Sequence, residues 1–167
     1  MNLYILRHGL AVEHGTVEYP NDADRPLTPK GERKLYLIAQ AMEELDLSLE
    51  LILSSPYKRA RQTAEVVADV LKLNNKVELS PTLEPDGSMK ELIEMLKGIK
   101  PAPDAVMLVG HEPYLSSLIS LLLAGDKSVQ VMMKKAGLCK LSVDSLKHGR
   151  CATLEWLLIP KQMRLMA

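Results

Sequence analysis

The sequence predicts an α/β fold: a three-layer α/β/α sandwich around a mainly parallel, mixed sheet, with a C-terminal antiparallel hairpin at the sheet edge. Three short apolar runs, at 3–6, 51–53 and 105–109, are typical of strands that are covered on both faces. Each run leads toward a segment with apolar residues at helical spacing. Strands that alternate with helices in this way form a parallel sheet with helices on both faces.

The individual elements follow from start signals and apolar stripes. Thr28 before Pro29 is a typical helix start, and Ser55 before Pro56 repeats it. The stripes of the four predicted helices are Leu35, Ile38, Ala39, Met42 and Leu45; Ala60, Ala64, Val67 and Leu71; Met89, Leu92, Ile93 and Leu96; and Leu115, Leu118, Ile119 and Leu122. Alternating residues at 139–144 and a second apolar run at 152–159 predict the hairpin.

Length and charge limit the classes of protein to consider. The chain has 167 residues, 47% of them hydrophobic, so we expect a single domain over residues 1–167 around one core. The 21 basic and 21 acidic side chains cancel, which leaves no global field for nucleic acid or a membrane surface. An anion site in this chain must therefore be a local pocket.

Cysteine usage and hydropathy predict a cytoplasmic protein. Cys139 and Cys151 lack metal-ligand spacing, and a chain of this length needs no disulfide. The first apolar run is too short for a signal peptide, and no stretch approaches the roughly 18 apolar residues of a membrane span. The 9 methionines replace the missing phenylalanines of the core, so we expect no cofactor.

Polar residues follow three of the predicted strands at the point where each strand ends. Arg7, His8 and Gly9 follow the first strand, the segment 54–65 (SSPYKRARQTAE) includes the end of the second, and His111 follows the third. Ligands bind beyond the carboxyl ends of parallel strands, where loops and helix N-termini converge. Two histidines and at least two arginines should therefore meet at one edge of the sheet.

These residue types suit phosphoryl transfer. The planar fork of arginine matches phosphoryl oxygens, so Arg7 and Arg59 are predicted to bind a phosphate, each bond contributing about 1.5–3 kcal/mol. A neutral His8 could then attack phosphorus and hold the group as phosphohistidine until water removes it. Gly9 would let the backbone turn and leave room for substrate, and His111 would hydrogen-bond a phosphoryl oxygen.

Four sequence blocks carry a family resemblance. They are LRHG at 6–9, RPLTPKGERKL at 25–35, SSPYKRARQTAE at 54–65 and VGHEP at 109–113. In this order they resemble the signature blocks of the histidine phosphatase superfamily, also called phosphoglycerate mutase-like. The short chain, without long insertions over the site, resembles the compact SixA-type branch of phosphohistidine phosphatases. The resemblance implies an α/β/α sandwich and a reaction without a metal.

The resemblance also implies a role for each matched residue. His8 would be the nucleophile, Arg7 and Arg59 phosphate ligands, His111 the second histidine, and Arg25 a further anion ligand. The expected substrate is a phosphorylated protein carrying phosphohistidine. A small phosphorylated molecule is the alternative substrate, and a non-catalytic phosphoprotein-binding module is the alternative function.

The proton donor is left open between two glutamates. Mutase-like members use a glutamate after the second block, for which Glu84 is the nearest match, whereas another branch uses an acid directly after the second histidine, here Glu112. SixA-type proteins need not use a donor, because a protonated imidazole is a good leaving group. We favour Glu84.

Other interpretations of these residues are weaker. Ser55 and Lys58 match the S-x-x-K spacing of serine acyl enzymes, but the partner motifs S-D-N and K-T-G are absent. A metal site would need an H-x-x-H or H-E-x-x-H pair, and the adjacent arginines would repel a cation, so we expect no metal ligand. Arg61, His14 and His148 are interpreted as solvent-exposed residues outside the site.

Overall fold

The computed structural model describes residues 1–166, in which six strands form one mixed sheet. The strands are β1 (Asn2–Arg7), β2 (Leu51–Ser54), β3 (Val77–Leu79), β4 (Ala105–Gly110), β5 (Leu138–Val143) and β6 (Ala152–Leu158). Their order across the sheet is β3-β2-β4-β1-β5-β6. The first four strands in this order are parallel, and β5 is antiparallel to both of its neighbours. The predicted mixed sheet with an antiparallel hairpin at its edge is confirmed.

Five helices cover the two faces of this sheet. They are α1 (Pro29–Glu44), α2 (Lys58–Val70), α3 (Met89–Gly98), α4 (Tyr114–Ala124) and the short α5 (Pro160–Met163). Buried residues of α1, α2 and α5 pack on one face, and those of α3 and α4 pack on the other. Alternate residues of β1 point to opposite faces of the sheet. Leu6 packs in the core against α1 and α2, and Ile5 packs in the core against α3 and α4. The chain thus forms the three predicted layers.

The sequences of the central strands are continuous apolar runs because both faces of these strands are covered. Every residue of β2 and β4 is buried. The sequence pattern missed β3, a three-residue strand at the sheet edge that is only partly buried. A strand this short and this exposed has too few apolar residues to give a periodic signal.

The helix start signals are confirmed at α1 and shifted at α2. The Thr28 side chain accepts a hydrogen bond from the Gly31 N–H at 3.0 Å, and Pro29 is the first helical residue. The second helix begins at Lys58, two residues later than the Ser55 signal predicts. Ser55 instead extends the strand, since its N–H donates to the Val109 carbonyl at 2.9 Å.

Two further expectations concern cysteines and hydropathy. Cys139 and Cys151 are both free. No helix within residues 1–166 combines the length and the apolar character needed to cross a membrane.

Gly31 lets the first turn of α1 lie directly against the chain that leaves β1. A Cβ atom on Gly31 would lie 2.1 Å from the Leu10 carbonyl oxygen, which is backbone and has little freedom to move. The loop after β1 and helix α1 can therefore keep this spacing only with glycine at position 31.

We predict that Gly31→Ala destabilises the fold by about 2 kcal/mol or more, because the added methyl must push α1 away from Leu10. Gly98→Ala is the matched control, since a Cβ atom there meets nothing within 4 Å. The control should stay within about 1 kcal/mol of the wild type. Urea unfolding measures both values, and equal effects of the two substitutions would refute the packing argument.

Candidate active site

The parallel pairing of β1, β4 and β2 brings the predicted site residues to one edge of the sheet. Arg7 pairs with Gly110 across β1 and β4, and the His8 N–H donates to the Gly110 carbonyl at 3.0 Å. His111 follows Gly110 directly, and Ser55 leaves β2 at the same level. The three strand ends therefore carry two histidines and a serine side by side.

A cleft of about 440 Å³ opens at this edge. Five of the predicted site residues line it, namely Arg7, His8, Arg25, Arg59 and His111. The alternative proton donor Glu112 lines it too, whereas Gly9 and Glu84 do not.

His8 is held as a neutral imidazole whose unprotonated nitrogen is Nε2. Its side chain is 6% exposed, and Nδ1 lies 2.7 Å from the Gly9 carbonyl oxygen. A carbonyl oxygen only accepts, so the proton lies on Nδ1, and Nε2 accepts a long hydrogen bond from Arg59 Nε at 3.4 Å. Burial above all, together with the charges of Arg59 and Arg7, outweighs the hydrogen bond to Gly9 and lowers the pKa of His8 from 6.5 to about 3. At neutral pH this nitrogen can act as a nucleophile.

His111 faces His8 across the floor of the cleft. The ring centroids lie 5.2 Å apart, and His111 Nε2 lies 2.9 Å from Ser55 Oγ. Burial, followed by the charge of Arg59, lowers the pKa of His111 to about 3. Its Nδ1 atom is buried without a hydrogen-bond partner in residues 1–166. A bound oxygen at this atom would complete the hydrogen bonding of the ring.

Arg59 and Arg25 converge on one carboxylate, that of Asp22. Arg59 donates from Nη1 to the Asp22 carbonyl at 2.7 Å and from Nη2 to Asp22 Oδ2 at 2.9 Å. Arg25 Nε donates to Asp22 Oδ1 at 2.7 Å, and Arg25 Nη1 donates to the Val12 carbonyl at 2.6 Å. Partial burial opposes ionisation of Asp22, but the two guanidinium groups outweigh it and lower its pKa. The Asp22 carboxylate therefore bridges the two guanidinium groups through charge-assisted hydrogen bonds.

Asp22 is the site residue that sequence reasoning missed. It lies in the polar loop at 15–26, outside the quoted motif blocks. The only sequence feature that could have indicated an Asp22–Arg25 ion pair is their spacing of three residues. Such a spacing of opposite charges is common in surface turns, so it does not distinguish a site residue.

Arg7 is anchored on the opposite side of the cleft. Its Nη1 atom donates to the Met133 carbonyl at 2.8 Å, while Nε is buried without a partner in the described chain. Burial lowers the pKa of Arg7, and the nearby charge of Glu112 opposes this shift. Glu112 Oε1 itself accepts a hydrogen bond from the Ser116 N–H at 2.9 Å.

Comparison with known proteins identifies the family. The model of the histidine phosphatase superfamily (branch 1) matches residues 3–84. An uncharacterized protein of Picosynechococcus sp. is 40% identical over 139 residues, which are 83% of this chain and 82% of that protein. The phosphohistidine phosphatase SixA of Escherichia coli (strain K12) is 27% identical over 166 residues, 99% of this chain and 98% of SixA. The chain belongs to the histidine phosphatase superfamily.

A solved structure supports the same branch of this superfamily. The protein histidine phosphatase SixA complexed with tungstate superposes with a TM-score of 0.82 and 28% identity, over 96% of this chain and 98% of that chain. The predicted resemblance to the compact SixA-type branch is confirmed, and the chain is a phosphatase.

Within this histidine phosphatase, Gly9 packs tightly against the core. Its backbone is outside the left-handed region, so the sharp turn predicted from glycine is not the reason for this residue. Its N–H donates to Thr63 Oγ1 at 3.0 Å, and a Cβ atom would lie 3.2 Å from Leu27 Cδ2. Gly9 therefore lets the chain behind His8 pack closely on the core.

Glu84 lies beside the cleft and its neighbour Pro85 lines it. Burial and then the charge of Glu84 raise the pKa of Tyr57, whose ring lies 5.2 Å from that of His111. Glu84 is thus close to Tyr57, the aromatic residue beside the second histidine.

Of the remaining polar residues near the motifs, His14 is the one that differs from its prediction. It is 73% exposed as expected, but it lines the cleft, and its Nε2 atom lies 3.8 Å from Asp22 Oδ1. The prediction that His14 lies outside the site is wrong, because its loop brings it next to Asp22. Arg61 pairs with Glu65 at 3.4 Å and does not line the cleft, and His148 is exposed. Within residues 1–166, no group of three or more His, Cys, Asp or Glu side chains is arranged to hold a metal ion.

We predict that acidification destabilises the fold through the two buried imidazoles. Their pKa values are about 3 in the folded protein and 6.5 in the unfolded chain, so the unfolded state binds more protons between these values. Stability is complete above the unfolded pKa and falls as the pH drops through this window. At about pH 5 each imidazole should cost about 2 kcal/mol relative to neutral pH.

Urea unfolding of His111→Gln across this pH window tests the assignment. The variant should lose about 2 kcal/mol less than the wild type on acidification, because one titrating group is gone. His148→Gln, on the exposed hairpin turn, should keep the wild-type dependence. Identical pH dependence in both variants would contradict the buried neutral imidazole.

Proposed function

We propose that this phosphatase hydrolyses phosphohistidine on proteins through a covalent phosphohistidine intermediate at His8. The observation that carries the proposal is a neutral imidazole with its Nε2 lone pair in a cleft lined by three arginines. The name and full-length match of the E. coli relative favour phosphohistidine over other phosphoryl donors. We further propose that residues 1–167 form one domain that needs no metal or cofactor.

In the first step, the substrate phosphoryl group replaces the Asp22 carboxylate on Arg59 and Arg25. His8 Nε2 attacks phosphorus, so that a P–N bond forms to His8 while the P–N bond to the substrate imidazole breaks. When the substrate ring is protonated on its other nitrogen, the departing nitrogen keeps the electron pair and the ring leaves as neutral imidazole; an unprotonated ring needs a proton donor at the departing nitrogen. Arg7 and His111 stabilise the charge on the transferring oxygens.

In the second step, water attacks the phosphorus of phosphorylated His8. The P–Nε2 bond breaks, the electron pair returns to Nε2, and inorganic phosphate leaves with the oxygen of the water. The Gly9 carbonyl holds the Nδ1 proton throughout, so His8 starts the next turnover in the same tautomer.

We propose Glu84 as the proton donor to the leaving group when one is needed. Glu112 lines the cleft, but its Oε1 atom is held by the Ser116 N–H at the start of α4. The Glu84 side chain has no hydrogen bond to any residue in 1–166, so its carboxyl is free to turn toward a bound substrate. The next residue, Pro85, lines the cleft, which places Glu84 at its edge.

A small-molecule phosphomonoesterase is the second candidate function. The observation that favours it is the position of Glu112 in the cleft and of Glu84 beside it, because an alkoxide leaving group depends on a positioned acid. A phosphorylated imidazole has no such dependence once its ring is protonated.

The nucleophile is tested by His8→Ala, which should lower turnover of phosphohistidine protein by at least about 10³-fold while circular dichroism stays unchanged. Rapid acid-free quenching of the wild type should trap phosphate on His8. Tungstate should inhibit and EDTA should not. His148→Ala is the control and should keep wild-type activity. Substantial turnover by His8→Ala, or a requirement for added divalent metal, would contradict the mechanism.

The acid is tested by Glu84→Gln and Glu112→Gln on two substrates. Glu84→Gln should lower kcat/KM for an alkyl phosphate by about 10²–10⁴ and for phosphohistidine far less, and Glu112→Gln should have the smaller effect. His111→Ala should slow both substrates alike, because it acts on the phosphoryl group common to them. Equal losses on both substrates for Glu84→Gln would show that Glu84 is not the acid.

A further inference from the structure

A second groove, larger than the catalytic cleft, adjoins it. We call it the basic groove; its volume is about 600 Å³, and it shares Arg7 and Lys135 with the cleft. Its floor is apolar: the partly exposed Leu10, Ile159 and Pro160 line it, above the buried Leu35 and Ile38 of α1. The sequence motifs gave no indication of this groove, because the C-terminal segment forms one of its walls.

The rim of the basic groove is positive without exception. Its charged residues are Arg7, Lys34, Lys134, Lys135, Lys161 and Arg164, and no aspartate or glutamate lines it. Within residues 1–166, none of these side chains has a carboxylate within the 4.0 Å of an ion pair. The chain as a whole has a net charge of +0, so this concentration of cations is local.

We propose that the basic groove binds an acidic, amphipathic segment of the protein substrate, next to the residue that carries the phosphoryl group. This inference rests on the proposed function and specifies how that substrate is recognised. Carboxylates of the segment would meet the rim cations, and its apolar side chains would cover the floor. The shared residues Arg7 and Lys135 make the groove continuous with the cleft, so one partner can occupy both.

The spread of the cations distinguishes this occupant from a single free anion. Lys34 lies on α1, Lys134 precedes β5, and Lys161 and Arg164 lie in the C-terminal segment. A single phosphate is bound by two or three donors, and it gains nothing from contact with an apolar floor. A peptide of several residues is long enough to contact all three segments and the floor together.

Docking of this kind changes substrate affinity and leaves the chemical step unchanged. Contacts made equally by the bound substrate and the transition state lower KM without raising kcat. Removal of rim charges should therefore raise KM for an acidic phosphoprotein and leave its kcat unchanged. Hydrolysis of a small phosphoramidate, which reaches only the cleft, should keep its kcat/KM.

The binding test uses unphosphorylated probes, so its result does not depend on turnover. A labelled peptide of about four helical turns, with glutamates and leucines on one face, is titrated by fluorescence anisotropy at low and at physiological ionic strength. A peptide with glutamine for each glutamate and a single-stranded oligonucleotide of similar charge are titrated in parallel. The proteins are wild type, Lys34→Gln/Lys161→Gln, and the control Lys76→Gln/Lys90→Gln, which changes two lysines outside the groove.

We expect the acidic peptide to bind wild type and control alike, and Lys34→Gln/Lys161→Gln about tenfold more weakly. The glutamine peptide and the oligonucleotide should bind more weakly than the acidic peptide, and salt should weaken the acidic peptide. Equal binding of the acidic and glutamine peptides, tighter binding of the oligonucleotide, or no effect of Lys34→Gln/Lys161→Gln would overturn the proposal. So would light scattering that shows a dimer dissociated by the same two substitutions.

The kinetic test separates this proposal from the proposed function. Peptide binding without any phosphohistidine hydrolysis would contradict the function and leave the docking site standing. Hydrolysis with the same KM for an acidic phosphoprotein in wild type and Lys34→Gln/Lys161→Gln would contradict the docking site and leave the function standing.

Discussion

The active site depends on the parallel pairing of β1 and β2 with β4 between them. Because the three strands end at the same level, His8, Ser55 and His111 leave the sheet side by side. The two core clusters cover both faces of these strands and fix their positions. A shift of one residue in β1 would move His8 to the opposite face of the sheet and separate the two imidazoles.

Burial at this edge determines the chemistry of the side chains. The imidazoles lose solvent and stay neutral, which supplies a nucleophilic lone pair at a pH where an exposed histidine is partly protonated. Buried arginines cannot lose their charge in the same way, so they need an anion nearby. Asp22 supplies it to Arg59 and Arg25. In the proposed mechanism, a phosphoryl group would replace this carboxylate, so one anion would be exchanged for another without desolvation of unpaired guanidinium groups.

The parts of the site that the sequence predicted lie at the ends of strong elements. Arg7, His8 and His111 follow dense apolar runs, and Arg59 lies in the first turn of α2, so their meeting follows from strand order alone. Asp22 and the basic groove could not be predicted in this way. A loop residue reaches the arginines only through the path of the folded chain, and the groove requires the segment at 159–164 to pack beside α1. The three-residue strand β3 was missed because so short an element has no measurable periodicity.

The proposed phosphoryl transfer requires that His8 is a neutral imidazole with its proton on Nδ1 and its lone pair on Nε2. Nitrogen-15 NMR of the histidine rings, with His8→Gln used to assign the signal, measures both the tautomer and the pKa in the absence of phosphate. We expect His8 to remain in the Nδ1–H form from neutral pH down to about pH 4, consistent with a pKa of about 3. A His8 that titrates near 6.5, or that carries its proton on Nε2 at neutral pH, would contradict it.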